Sequence, residues 1–214
     1  ARLKRDALVP GRAAAVVMNA NPFTLGHLHL LEKACRGNDV VHVFVVSEDV
    51  SLFSFRDRFR LVREGSAHLH PVMCLPSCNY IVSAATFPSY FLKDEETVTR
   101  AHACLDAKLF CRIARTLGIT RRYAGEEPYS QITRLYNEEM ARELPKGGIE
   151  FIEVPRAQFG KNAISASAVR RYIHDGRLDL ARPLLPASTY DFLTSEAGAP
   201  TIARIRAATA IEHE

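Results

Sequence analysis

Asn19-Ala20-Asn21-Pro22-Phe23-Thr24-Leu25-Gly26-His27 lies between an unbroken apolar run, Ala13 to Met18, and an amphipathic run, Gly26 to Arg36. The three pieces read as a strand buried on both faces, a tight turn and a helix start. Asn19, Asn21, Thr24, the rigid Pro22 and the small Gly26 gather where a helix presents unpaired N–H groups and the positive end of its dipole. Such a place suits an anion. A well-capped connection with no ligand would use the same residues.

Further along, the same alternation repeats. Asp39 to Val46 is rich in β-branched residues and predicts a second strand, and Pro71 to Leu75, Thr120 to Ala124 and Ile149 to Val154 predict three more. Helices are expected at Phe55 to Leu69, across Val98, Ala101, Leu105, Leu109, Ile113 and Leu117 with Gly118 as the stop, and at about Ser130 to Leu144. Strands alternating with helices predict an α/β fold with a doubly wound, Rossmann-like, five-stranded parallel sheet. Short helices around Leu178 to Leu184 and Ser188 to Leu193 complete it, and the stretch from Gly198 carries little pattern. In such sheets a ligand lies beyond the carboxyl ends of the strands, at the switch in strand order.

Composition bounds the function. The chain has 214 residues, 47% hydrophobic and 24% charged, as an ordinary globular protein has. A net charge of +4 spread along the chain does not imply nucleic acid, whereas a phosphate-bearing small molecule needs only a few local cations. No apolar run reaches the roughly 18 residues of a membrane span, so no membrane partner is expected. Five cysteines suit reduced thiols in a cytoplasmic protein. Cys74 and Cys78 have no second Cys or His pair at zinc spacing, so no protein-held metal is expected.

A second helix start decides between anion site and plain connection. After the polar loop Pro155 to Ala163 comes Ile164-Ser165-Ala166-Ser167-Ala168-Val169-Arg170. Ser165 is a good N-cap, and Ser167 and Arg170, three apart, share a helix face and form a compact oxyanion clamp. In the first helix the dipole disfavours protonation of His27, which suits a neutral ring donating to a phosphate oxygen. Two helix N-termini, one with Thr24 and His27 and one with Ser165, Ser167 and Arg170, could grip one polyphosphate.

These residues carry a resemblance. Thr24-Leu25-Gly26-His27 is similar to the His-x-Gly-His signature of the nucleotidyltransferase superfamily, and Ile164 to Arg170 to its Ile-Ser-Ser-Thr-x-Ile-Arg motif. More narrowly, Met18 to His27, Val46 to Asp49, the block Ala85-Thr86-Phe87-Pro88-Ser89-Tyr90-Phe91-Leu92-Lys93-Asp94, and Gly125-Glu126-Glu127-Pro128-Tyr129 with Tyr136-Asn137 resemble the citrate lyase ligase family. The likeness runs from about residue 13 to residue 206. It implies a lead-in over 1–12, a nucleotidyltransferase-like catalytic domain over 13–197 and a tail over 198–214. Full-length members carry an acetyltransferase-like N-terminal part, so this chain resembles their catalytic part alone.

The resemblance implies an ATP-dependent acetate ligase. ATP and acetate would give acetyl-adenylate and pyrophosphate, and the thiol of the phosphoribosyl-dephospho-coenzyme A arm on the citrate lyase acyl carrier subunit would then take the acetyl group. His27, Thr24 and Arg170 would contact phosphate, supported by Ser165 and Ser167, with Asn19, Asn21, Phe23 and Gly26 shaping the nucleotide site. Mg²⁺ would bridge phosphate oxygens with mostly water ligands. Gly125, Glu126 and Glu127 would face ribose and adenine, or form a plain strand-to-helix turn. Lys93 would meet the α-phosphate or belong to a closing lid, a solvated lysine being the competing reading. The aromatics from Tyr80 to Phe91 would keep water from the acyl-adenylate or simply belong to the core. Thr24 stands where the superfamily places its first histidine, which argues against a two-histidine mechanism. An adenylyltransferase for a phosphate-bearing substrate, of the phosphopantetheine or nicotinamide mononucleotide type, and a non-catalytic nucleotide-sensing or carrier-docking module are the alternatives.

Overall fold

The structure, a computed structural model, describes residues 11–88, 95–128, 130–160 and 162–209. Lys93, with Tyr90 and Phe91, lies outside the described residues. Contacts along the chain divide it into two compact units: residues 1–18, 30–48 and 69–155 form the first, and residues 19–29, 49–68 and 156–214 the second.

The first unit is the sheet. Strands β1 (Ala13–Met18), β2 (Val40–Val45), β3 (Val72–Pro76), β4 (Ile119–Gly125) and β5 (Glu150–Val154) lie in the order β3-β2-β1-β4-β5, every neighbouring pair parallel. The chain winds outward from β1 to β3 and returns to lay β4 on the other side of β1. The switch in strand order therefore falls between β1 and β4, as the doubly wound reading requires. β2 is buried at every position, which explains its continuous apolar run.

Helices α1 (Leu25–Cys35), α2 (Phe55–Gly65), α3 (Glu96–Leu117) and α4 (Gln131–Glu143) link the strands. The unit boundary passes through α1. Ala103, Ala107 and Ala114 of α3 join Ala13 and Ala15 of β1, Phe44, Phe110 and Met140 in one apolar core. Small residues on both facing surfaces let helix and sheet approach closely. Gly118 stops α3 in the left-handed region at φ 70°, as expected of that glycine. Helix α2 ends four residues earlier than the pattern predicts. Ser66 is the reason: its backbone N–H and its hydroxyl both donate to the Val62 carbonyl, closing the last turn.

A buried polar network sits inside this core. Asp106 of α3 accepts hydrogen bonds from the Val82 N–H (2.7 Å), the Thr86 hydroxyl (2.8 Å) and the Tyr136 hydroxyl, while Arg122 of β4 donates to Tyr136 (3.0 Å) and lies 4.1 Å above the Phe110 ring. Burial first, and then Asp106, pushes the Tyr136 hydroxyl well above its ordinary range. The network explains the aromatic segment: Phe87 is core, 5.0 Å from the Tyr136 ring, whereas Tyr80 is exposed. Removing one partner of a buried charged network typically costs about 3–5 kcal/mol. Asp106→Ala should therefore lower stability by about that much in urea unfolding, with residues 77–88 losing protection in hydrogen exchange.

The second unit is built of short helices. It holds α2, α5 (Ala166–His174), α6 (Leu178–Ala181), α7 (Ala187–Thr194) and α8 (Ala199–Ala207), with a two-stranded hairpin of β6 (Gln158–Phe159) and β7 (Asn162–Ala163). The hairpin lies in the stretch read as polar loop, and α8 in the stretch with little pattern. Thr201 and Ile205 of α8 are buried, and Arg204 donates to the Leu52 carbonyl at 2.9 Å. Phe53 packs against Phe192 of α7, and Arg60 lies 4.8 Å above that same ring.

Gly65 is small for a steric reason. A Cβ there would fall 2.6 Å from Phe23 Cε1 and 3.0 Å from Ser188 Oγ. Gly65→Ala should cost about 1–3 kcal/mol through overpacking, read as a lower urea midpoint, because the added methyl would meet the fully buried Phe23 ring.

Candidate active site

The turn after β1 is tightly held. Ala20 is buried with φ 54°, a left-handed conformation that costs a non-glycine residue on the order of 1 kcal/mol. Its neighbours on both sides fix it. The Arg58 guanidinium, fully buried, donates to the Asn19 carbonyl (2.9 Å), to Asn19 Oδ1 (2.8 Å) and to the Phe53 carbonyl (3.1 Å). Asn19 Nδ2 in turn donates to the Ser51 hydroxyl at 3.0 Å. Asn21, 3% exposed, accepts the Phe53 N–H on Oδ1 at 3.1 Å. Downstream, the Thr189 hydroxyl of α7 donates to the Phe23 carbonyl at 2.9 Å.

The His27 side chain reaches back to Thr24 at the start of α1. The Thr24 N–H donates to His27 Nδ1 at 3.0 Å, and the Thr24 hydroxyl lies 2.9 Å from the same nitrogen. His27 occupies the helix position from which a Glu or Gln reaches back in a capping box, and the imidazole plays that part here. A backbone N–H can only donate, so Nδ1 is an acceptor and the ring's hydrogen sits on Nε2. The ring stacks on Phe23, centroids 5.8 Å apart. Burial, then the charge of Arg156, then that of Arg170 lower its pKa from 6.5 to about 4. Near neutral pH the ring is thus an uncharged donor.

The second helix start lies against the first. Ser165 caps α5, its hydroxyl accepting the Ala168 N–H at 3.2 Å and lying 3.2 Å from the Ser167 hydroxyl. A Cβ added to Gly26 would meet the Ile164 carbonyl oxygen at 3.2 Å and Thr24 Oγ1 at 3.5 Å. Gly26 is therefore where the two N-termini approach each other. Arg170, 2% exposed, donates to the Asn21 carbonyl and so ties α5 to the turn.

Asn19, Asn21, Phe23, Thr24, Gly26, His27, Ser165, Ser167 and Arg170 thus come together in the second unit. Gly125, Glu126 and Glu127 belong to the sheet unit, at the carboxyl end of β4. There the Asn137 amide donates to the Gly125 carbonyl (3.0 Å) and to Glu153 (2.8 Å), and Glu127 accepts the Ser130 N–H (3.1 Å) where α4 begins. Arg58, Ser51, Thr189 and Arg156 are additions that the sequence reading missed. Arg58 and Thr189 act on backbone carbonyls far away in sequence, so no local spacing marks them.

A helix-start pair with a neutral imidazole donor and a buried arginine can hold an oxyanion and stabilise charge as it builds there. Among the described residues, the only cluster of three potential metal-ligand atoms is Cys104, Glu139 and Glu143, in the sheet unit. Those two carboxylates already pair with Arg100, Arg142 and Lys146.

The depressed pKa has a stability signature. Below about pH 6.5 the unfolded chain protonates His27 while the folded chain does not until about pH 4, so the unfolded state binds more protons in that window. Stability should fall as pH drops from about 6.5 to about 4, and His27→Gln should flatten that part of the urea-midpoint profile.

Residues 13–193 match the sequence profile of the citrate lyase ligase C-terminal domain. The chain belongs to the citrate lyase ligase family. It is 42% identical over 190 residues to the "[Citrate [pro-3S]-lyase] ligase" of Klebsiella pneumoniae, covering 86% of this chain and 56% of that protein. The chain thus spans about half the length of the curated citrate lyase ligases it matches. Among solved structures, its fold is similar to a bifunctional NMN adenylyltransferase/ADP ribose pyrophosphatase from Francisella tularensis, with a TM-score of 0.58 at 14% identity over 90% of this chain and 53% of that one. It is also similar to Thermotoga maritima TmcAL bound with alpha-thio ATP, with a TM-score of 0.53 at 15% identity over 85% and 55%. At such identities the likeness carries the fold of this citrate lyase ligase domain. No helix among the described residues is long and apolar enough to cross a membrane.

Proposed function

We propose that this citrate lyase ligase domain, residues 13–197, adenylylates acetate with ATP and passes the acetyl group to the thiol of the phosphoribosyl-dephospho-coenzyme A arm on the citrate lyase acyl carrier subunit, in the cytoplasm. The observation that carries the reading is the pair of helix N-termini meeting at Gly26 and Ile164, equipped with a neutral His27 and a buried Arg170.

A carboxylate oxygen of acetate attacks the α-phosphorus, and the bond from that phosphorus to the β-phosphate bridging oxygen breaks, releasing pyrophosphate. Acetate is already a nucleophile at neutral pH, so this step needs no protein base. The protein has to align the reactants and stabilise charge growing on the leaving group. His27 donates from Nε2 to a phosphate oxygen, and Arg170 supplies fixed positive charge. The free N–H groups at the start of α5, with Ser165 and Ser167, complete the oxyanion clamp. Mg²⁺, bound together with ATP, would supply further positive charge to the phosphates. Gly125, Glu126 and Glu127 serve ribose and adenine or form a plain strand-to-helix turn, and Lys93 serves the α-phosphate or a lid, a solvated lysine being the competing reading. In the second step the carrier thiolate attacks the acetyl carbon and AMP leaves with the electron pair of the broken acyl–oxygen bond.

Hydroxylamine intercepts an acyl-adenylate, which gives a direct test without the carrier. ATP, acetate and hydroxylamine should yield acetohydroxamate and AMP in equal amounts, dependent on the protein. Nucleotide binding by calorimetry with no AMP formed would instead mark a nucleotide-sensing module.

A further inference from the structure

We propose that Thr24 is a positioning residue that acts through His27: its N–H and hydroxyl together hold the imidazole Nδ1 as an acceptor, so that Nε2 carries the ring's hydrogen and presents it to a ligand oxygen. This goes beyond the phosphate-contact role that the resemblance implies for Thr24, and it rests on the proposed adenylylation only for what that ligand is. The geometry assigns the role. Thr24 is 1% exposed, and its hydroxyl, 2.9 Å from Nδ1, is already engaged. The backbone N–H at 3.0 Å excludes a hydrogen on Nδ1, so the hydroxyl must donate there as well. His27, by contrast, is only half-buried, and its Nε2 has no partner among the described residues.

Two donors on one nitrogen do more than orient the ring. Each of them stabilises the neutral imidazole and opposes its protonation. Every charged group facing the ring acts in the same direction: Arg156 from the segment after β5 and Arg170 from α5. Phe23 contributes an apolar face, and Gly26 leaves room for Ile164 beside the cap. Where the superfamily signature has a first histidine, this chain thus has a residue whose hydroxyl is spent on the second one. A single imidazole, held in one tautomer, meets the phosphates from this turn.

Histidine-labelled protein tests this by two-bond nitrogen–proton NMR at neutral pH, the His27 signals being assigned by their loss in His27→Gln. Wild type should show His27 as the Nε2–H tautomer, and an Nδ1–H tautomer would overturn the proposal outright. Thr24→Val should raise the His27 pKa and lower kcat of acetate-dependent pyrophosphate exchange about ten-fold, the order expected for one lost hydrogen bond. KM for ATP should stay within about three-fold, and Thr24→Ser should restore both ring and rate. A Thr24→Val protein with unchanged His27 signals and sharply weaker ATP binding would show a direct phosphate contact and overturn the proposal. If Thr24→Val does not fold, the wild-type tautomer and the Thr24→Ser titration still decide. If wild type shows no acetate-dependent exchange, the adenylylation reading fails by itself, while the tautomer and pKa still judge Thr24.

Discussion

His27→Ala should lower acetate-dependent exchange of pyrophosphate into ATP by about 10²-fold or more, the loss typical of removing one preorganised donor from developing negative charge. The drop should appear in kcat more than in KM for ATP, because a donor aimed at charge that grows during the reaction contributes little to ground-state binding. His27→Gln should recover part of the rate, since a glutamine amide offers a neutral N–H. Exchange in His27→Ala at the wild-type rate would remove the imidazole from the mechanism.

Arg170→Ala has the second large effect. Arg170 is buried, donates to the Asn21 carbonyl and adds positive charge beside His27. Its loss should reduce exchange by about 10³-fold, combining lost transition-state charge stabilisation with a turn set free. Leaving a buried carbonyl without its donor should also cost about 1–3 kcal/mol of stability, read as a lower urea midpoint. Arg170→Lys should recover little, because an ammonium cannot reproduce the planar fork that serves the carbonyl and an anion together. Near-normal exchange in Arg170→Lys would mean that charge alone suffices there.

Much of the fold was legible because it rests on local pattern. The β-branched run Val40–Val45 could only be a buried strand, and Gly118 and Ser165 announce a helix end and a helix start through their own chemistry. The pairing of the two helix starts was also legible, since both carry small polar residues in their first turns. What escaped the sequence works over distance. Arg58 reaches Asn19 across 39 positions, Arg204 reaches Leu52 across 152, and Thr189 reaches Phe23 across 166. Each satisfies a backbone carbonyl, which leaves no mark in residue type at the receiving end. Helix α8 was unreadable for a related reason: its stability comes from burying Thr201 and Ile205 and from the Arg204 tether, whereas its sequence shows no strong apolar stripe.

The same distinction governs the site. His27 in a first helical turn reads as a group suited to an anion, yet its tautomer depends on the Thr24 N–H and hydroxyl meeting Nδ1, which only the folded turn shows. Glu127 shows the converse. The sequence offers it both as a ribose contact and as part of a turn, and it accepts the Ser130 N–H at the start of α4, a contact compatible with either.

Pyrophosphate exchange into ATP, with the small acid varied, reports adenylylation of acetate by itself. Labelled pyrophosphate should enter ATP only when acetate is present, with no citrate lyase carrier in the assay. Exchange that ignores acetate and is driven by a phosphomonoester such as phosphopantetheine or nicotinamide mononucleotide would contradict it.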